Sequence, residues 1–547
     1  MSRAPPTALV LALGLALGLQ GCTRVGTRAD HVPGEVRATL AGDPSGLNPL
    51  VSDDPRGQMV AALVHGFLFR ADAHGTLVPD LAIRVPDRAN GGLAPDGRTI
   101  RYRLRRNVRW SDGAPFAARD VAFSFAAAMN PHNNVPDRSG FDDVAAVRTV
   151  GPFEVVVTLS RPYSPAIETF FAETANDPYP ILPAHLLANE PDLNHAEYNA
   201  KPIGLGPYRV VEWRRGDRIV LAPVAGYFRG TPSLRRIVLR IVPDSNTTAV
   251  LWQTGELDVV PLLDATLTRR FRGFPHAHVS IEADVGFKDL EFQTERPLLR
   301  DRRVRAAIVA AIDRAALARP FAPLADARDG DRLPGTFGYD ASIHEPRYDP
   351  RRAVALLEAA GWHLDGPFRR KGDATLHLVL VCYNKPSFRD PALIVQQQLA
   401  AVGIDLTIKT YDPGVLIAEA ADGGILKKGA FDVALFGWEP NGIHDDSYLF
   451  RCDTRPPRGW NVGRICDPGI DREARVELTT ADPAREAAAD RSILRRLIAQ
   501  SDVLFLGGAP YALAVRDGLS GVRGSIYGNP YGNGWNWHWT PPRTPPG

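Results

Sequence analysis

Between residues 376 and 438 the chain alternates apolar strands with helical spacing, and no other feature limits its fold as much. A strand at 376–383 precedes a helix at 390–401. Two more strands follow at 404–410 and 431–438, with a helical stretch near 415–421 between them. Such alternation implies an α/β architecture with a parallel or mixed sheet. Solutes bind beyond the carboxyl ends of the strands in such sheets. The last strand reaches that end at Trp438. A loop carrying Glu439, Asn441, Asp445 and Asp446 follows at once. Two readings compete: a solvated turn beside a core tryptophan, or a pocket for something cationic.

The rest of the 547 residues is enough for two to four domains or lobes. Ile100, Tyr102 and Leu104 alternate with Arg101, Arg103 and Arg105, a half-buried strand. Strands are also expected at 154–159, 218–221 and 237–242. A helix at 245–254 begins at a good N-cap and stops at Gly255. Another at 301–314 buries Val304, Ile308 and Ile312. A third, within 348–362, is capped by Asp349, has Pro350 in its first turn, turns Leu356 and Leu357 inward and stops at Gly361. After 515 the chain is irregular. Apolar residues make up 44% and charged residues 23%, which suits a large globular core. The 64 basic and 62 acidic groups leave a net charge of +2, so nothing favours nucleic acid or an anionic surface as partner.

Residues 8–19 form an unbroken apolar run after a short polar start containing Arg3. A helix that crosses a bilayer needs about 20 residues, so the run reads as the hydrophobic part of a secretory signal. Leu19-Gln-Gly-Cys22 then resembles a bacterial lipobox. That resemblance implies cleavage before Cys22 and a diacylglycerol on its thiol, with the mature protein outside the cytoplasm and held by lipid alone. Export permits a disulfide between Cys452 and Cys466, which share one loop-rich segment. Cys382, inside an apolar strand, reads as a buried, inert thiol.

Signatures of chemistry are scarce. G-x-S-x-G, H-E-x-x-H, P-loop and C-x-x-C patterns are missing from the sequence. Gly204-Leu-Gly206 begins like a dinucleotide fingerprint but continues Pro-Tyr-Arg. His444-Asp445-Asp446 is too short a pattern to indicate a metal. Two-carboxylate hydrolases place their acids far apart in sequence, so a motif search does not dispose of them. The expectation is no catalytic residue, no metal and no cofactor.

An ordered set of segments carries a wider resemblance: Gly42-Asp-Pro-Ser-Gly-Leu-Asn-Pro49, Leu77-Val-Pro-Asp-Leu-Ala82, Asp96-Gly-Arg-Thr99, Val108-Arg-Trp-Ser-Asp-Gly113 with Arg119-Asp-Val121, Gly206-Pro-Tyr-Arg209, Gly255-Glu-Leu-Asp258, Val304-Arg-Ala-Ala307 with Ala311-Ile-Asp-Arg314, and Leu356-Leu-Glu-Ala-Ala-Gly-Trp362. Together they resemble family 5 extracytoplasmic solute-binding proteins, which serve dipeptide, oligopeptide and nickel ABC importers. The dipeptide-binding members come nearest. Ala117 departs from the pattern, because the family usually has a helix-capping Thr there.

The resemblance implies a two-lobe fold like that of periplasmic binding proteins (type II, cluster C), with a third domain inserted. Its expected layout is a signal peptide at 1–21, a lipidated linker at 22–34, and a first lobe from 35–68, 203–292 and 513–547. The inserted domain takes 69–202 and the second lobe 293–512. It implies that Trp438 lines the ligand pocket. The Asp that pairs with a peptide α-ammonium is replaced by Asn441, so Glu439, Asp445 or Asp446 takes that role, or the ligand is not a free-amine peptide. Lys385, after Tyr383 and before a proline, stands where dipeptide binders hold the cation for the terminal carboxylate. Leu47 and Asn48 supply backbone contacts. The Cys452/Cys466 pair matches a bridge in dipeptide-binding members. The function implied is a monomeric lipoprotein in the periplasm or on the outer face of the cell membrane, which binds short peptides, performs no chemistry and hands them to ABC permease subunits. The rival readings are a sugar, opine or metal chelate on the same scaffold, a secreted hydrolase, and a peptide-holding chaperone or signalling receptor.

Overall fold

The computed structural model describes residues 32–72, 74–174, 178–325, 327–438, 447–508 and 510–540. Cys22, Glu439, Asn441, Asp445 and Asp446 lie outside them, as does His444. No described helix is long and apolar enough to cross a membrane.

Two mixed sheets organise the chain. The first has seven strands in the order Ala277–Glu282, Tyr511–Arg516, Val259–Leu262, Glu35–Leu40, Arg236–Ile241, Arg218–Pro223 and Tyr208–Arg214. Strands from both ends of the chain and from its middle meet there. Glu35–Leu40 pairs in parallel with Arg236–Ile241 and Val259–Leu262. The second sheet has five strands, Asp405–Tyr411, His377–Tyr383, Val433–Trp438, Phe287–Phe292 and Val503–Gly508. His377–Tyr383 lies parallel to both its neighbours. A parallel neighbour requires a crossover, and the Pro386–Ala401 helix provides one. Phe287–Phe292 runs antiparallel to the strands on either side of it. The polypeptide crosses between the sheets at 282–287 and again between Gly508 and Tyr511.

Phe287–Phe292 therefore belongs to the second sheet, although the sequence boundary at 292/293 placed it with the first lobe. Tyr511–Arg516 likewise enters the first sheet before residue 513. Strand pairing, not local pattern, decides both positions.

The three largest buried clusters among the described residues are separate. Phe69, Tyr102, Trp110, Phe125, Phe141 and Phe170 fill one, around the small sheet of Thr99–Arg103, Glu154–Leu159 and Val144–Thr149. Another underlies the seven-stranded sheet, from Val36 and Ala38 to Leu513 and Trp537. In the third, Leu290, Leu378, Leu380, Cys382 and Leu435 pack beneath Arg302–Ala311, Pro350–Ala359 and Pro386–Ala401. Burial raises the Cys382 thiol to about 11, which keeps it protonated and unreactive. Cys452 and Cys466 are joined by a disulfide.

Local chemistry accounts for most helix ends. Asp349 caps Pro350–Ala359, accepting from Arg352 N at 2.9 Å, and Gly361 follows at φ +84°. Leu357 is buried and Leu356 half-buried. The cap of Ser245–Gln253 is Asp244, not Ser245. The expected 301–314 helix stops at Ala311, and Asp313 caps a new turn, Arg314–Ala318. In place of a helix near 415–421 there are two short ones, Pro413–Leu416 and Ile425–Lys428. Gly424 separates them: a Cβ there would stand 1.7 Å from the Ala418 carbonyl oxygen. At Ala117 the missing side-chain cap is partly replaced from the third helical position. There the buried Asp120 accepts from the Ala117 N–H at 2.9 Å and from the Ala184 N–H at 3.1 Å.

Gly204 and Gly206 serve packing. Gly206 N–H donates to the Val64 carbonyl at 2.8 Å, and a Cβ on Gly204 would lie 1.9 Å from that same oxygen. The backbones can approach this closely only without a side chain. Gly204→Ala is therefore expected to destabilise the protein by about 3 kcal/mol or more, read as a lower midpoint in urea unfolding against Gly414→Ala, where a Cβ meets nothing within 4 Å and φ is not positive.

Candidate functional site

The strands of the second sheet bring their ends together at one edge. His377–Tyr383 and Val433–Trp438 are parallel and finish there with Tyr383 and Trp438. Phe287–Phe292 starts there, Phe287 opposite Trp438. Val503–Gly508, antiparallel to Phe287–Phe292, also finishes there, with Gly508 opposite Phe287. Both chain crossings to the first sheet leave from this edge. It is the carboxyl edge of an α/β sheet, facing the place where another body of the protein joins it.

Trp438 is half-buried at the centre of an aromatic group. Its ring stands edge-on to Phe436 at 4.7 Å, Trp460 at 5.8 Å and Tyr448 at 6.4 Å. These contacts fix the indole plane, while its N–H finds no hydrogen-bond acceptor among the described residues. Lys427 covers Trp460 from 4.0 Å and pairs with Glu419.

Beneath the indole, on the same face of the sheet, are Asp289 and Glu291, both fully buried. Glu291 Oε1 accepts from Gly463 N–H at 2.6 Å. The Asp289 oxygens lie near the indole N–H without reaching hydrogen-bond geometry. Burial and the neighbouring Glu291 hold the Asp289 carboxyl well above the usual range, and burial pushes Glu291 up to about 8. Burial thus favours the protonated form of both acids. Their alternation with apolar neighbours reads in sequence as an ordinary half-exposed strand, which is why nothing marked them there.

Tyr383 packs edge-on against Phe388 at 5.0 Å, and burial raises its phenol. Lys385 is exposed at the N-cap of Pro386–Ala401, its ammonium 5.9 Å from the Tyr383 ring centre. Trp438, Tyr383 and Lys385 thus share one edge. Leu47 and Asn48 belong instead to the layer on the first sheet, each 1% exposed. Leu47 N–H donates to Asn199 O at 2.7 Å, and Leu47 O faces His65 Nε2 at 2.8 Å. Asn48 Oδ1 accepts from Leu50 N–H, and its amide donates to Asn199 Oδ1 at 2.9 Å. These groups tie the loop to its own scaffold, so the backbone contacts expected from them are already engaged inside the protein.

Among the described residues, the side chains at the edge include no nucleophile paired with a base. Among the described residues no group of three or more His, Cys, Asp or Glu could hold a metal ion. The arrangement offers aromatic surface, unbonded polarity and charge to a solute.

Comparison with known proteins identifies the family. The model of the bacterial extracellular solute-binding proteins, family 5 middle, matches residues 76–458. The oligopeptide-binding protein AppA of Bacillus subtilis (strain 168) is 23% identical over 507 residues, covering 90% of this chain and 89% of that protein. The glutathione-binding protein GsiB of Pectobacterium atrosepticum is 27% identical over 478 residues, covering 84% and 86%. The crystal structure of NikZ from Campylobacter jejuni in complex with Ni(L-His) superposes with a TM-score of 0.75 at 23% identity, covering 93% of this chain and all of that one. The chain belongs to the family 5 extracellular solute-binding proteins of ABC importers, whose members capture solutes and are not enzymes.

Proposed function

We propose that this protein is a lipid-anchored, monomeric receptor for short peptides, which closes two lobes over its ligand and presents it to an ABC permease. The observation that carries this reading is the sheet edge itself. Rigid aromatic side chains, unbonded polar groups and a lysine gather where the chain passes twice to the other sheet. Such edges suit a ligand that is enclosed, hydrogen-bonded along its length and paired at its charged ends. Oligopeptide- and glutathione-binding relatives support the choice of ligand.

Hinge closure has a physical basis in the two short crossings, which leave the sheets joined by few backbone torsions. The inserted segment also bonds to the second-sheet body. Ser164 N–H donates to Leu478 O at 2.8 Å, and its hydroxyl donates to Thr480 O. Ligand shifts such an equilibrium only as far as it prefers the closed state.

Titration calorimetry with di- and tripeptide pools is expected to give saturable binding, and solution scattering a smaller radius of gyration on adding the same pool. Silence toward peptides together with binding of nickel–histidine, a sugar or an opine would replace the peptide with that solute. The α-ammonium is assigned to the acids of the 439–446 loop. Asp445→Asn should then weaken binding of a free-amine tripeptide about tenfold or more, and more than Asn441→Ala does. The reverse order would reassign the role. Export and anchoring rest on Cys22, and Cys22→Ser is expected to move the protein from the membrane fraction to the soluble one.

A further inference from the structure

Lys288 occupies the same sheet edge and stands out by what surrounds it. It is the second residue of the Phe287–Phe292 strand and points away from the face that holds Asp289. The residues opposite it on both neighbouring strands are glycines, Gly437 and Gly507. A strand glycine often marks a place where another group must come close, and here two of them leave the lysine stem flanked by bare backbone. The ammonium lies 4.8 Å from the Phe388 ring centre and 5.9 Å from that of Phe321. Phe388 is in the first turn of Pro386–Ala401, a turn without an acidic residue, and leans on Tyr383. Phe321 precedes Ala322, whose carbonyl accepts from Arg269 Nη1 at 2.8 Å. Arg269 belongs to the Ala265–Arg272 helix, and Leu324 packs with that helix beside the first sheet. The Lys288 ammonium thus lies where the carboxyl edge of the second sheet meets the body built on the first.

Among the described residues nothing accepts a hydrogen bond from Lys288 Nζ, and no carboxylate pairs with it. Two aromatic rings attract a cation, but they replace neither its hydration nor a counter-ion. Burial accordingly lowers the pKa of this lysine. Lys385, by contrast, is exposed to water, which weakens any ion pair it forms. Among the described residues this partly dehydrated cation meets no anion, at the place where the proposed solute is enclosed.

We infer that Lys288 is the anion-binding residue of the interlobe site, holding a carboxylate of the bound solute. The inference rests on the solute-binding reading above and narrows the ligand to one that carries a carboxylate. That group has two possible sources, the C-terminus or acidic side chain of a peptide, or a non-peptide organic acid. A ligand with only cationic groups would be repelled from this position.

The test compares wild type with Lys288→Met, which keeps the stem and drops the charge, Lys288→Arg, which keeps the charge, and Lys385→Gln. Calorimetry uses a tripeptide pool with free C-termini and the same pool amidated. Wild type and Lys288→Arg should prefer the free acids. Lys288→Met should lose about tenfold or more for the free acids and little for the amides, and Lys385→Gln should lose less. Thermal unfolding of ligand-free Lys288→Met should match or exceed wild type, because an unpaired, partly buried charge has been removed. Equal affinity of wild type for acids and amides, or an acid preference unchanged in Lys288→Met, would overturn the inference. If wild type binds neither pool, the peptide reading fails and the lysine is tested alone. In that case 13C-dimethylated protein is titrated with succinate and citrate, and the NMR signal lost in Lys288→Met should move. A signal that stays fixed for both acids would overturn the assignment to Lys288 as well.

Discussion

Much of this protein depends on the pairing of Phe287–Phe292 with strands on both sides. This is the first strand after the chain leaves the seven-stranded sheet, and it wedges antiparallel between Val433–Trp438 and Val503–Gly508. Three consequences follow from one set of hydrogen bonds. The second sheet becomes mixed. Both crossings to the first sheet are brought to one edge. The side chains at the start of the strand arrive beside Trp438 and Tyr383. A one-residue slip would exchange the faces that carry Lys288 and Asp289. Register therefore decides which charge meets the indole and which meets the Phe388 and Phe321 rings.

The edge gathers several strained polar groups in one place. Some buried charge elsewhere is paired: Arg70 is held between Asp80 and Glu173, and Arg305 meets Asp502 and four backbone carbonyls. At the edge burial favours the neutral form of Asp289 and Glu291, and among the described residues Lys288 meets no anion and the Trp438 N–H no acceptor. Unsatisfied polarity of this kind lowers the stability of the empty protein. It is tolerable where a ligand completes the hydrogen bonds, and binding sites commonly give up stability in this way.

Much of the fold could be read from the sequence because it follows local rules. Asp349, Pro350 and Gly361 delimit a helix by capping and backbone conformation. Ile100, Tyr102 and Leu104 announce a strand face by period two. Strand–helix–strand order from 376 to 438 announces a sheet with crossovers. The expected helix near 415–421 is replaced by Pro413–Leu416 and Ile425–Lys428, with Gly424 lying close to the Ala418 carbonyl between them. Leu47 and Asn48 were expected at the ligand, but their hydrogen bonds go to His65 and Asn199, the latter about 150 residues away.

The sequence by itself determined the class of fold, the membership of a solute-binding family and the placement of Trp438 at a strand end. Those properties depend on periodicity, caps and ordered short motifs, all local in the chain. Tertiary structure alone decided that Phe287–Phe292 belongs to the second sheet, that Asp289 and Glu291 lie beneath the indole, and that Lys288 faces the joint between the two sheets with no counter-charge among the described residues. Those facts depend on which strands pair and in what register. Such pairing joins residues some 140 to 220 positions apart, a separation over which the physical contact leaves no trace in the local order of amino acids.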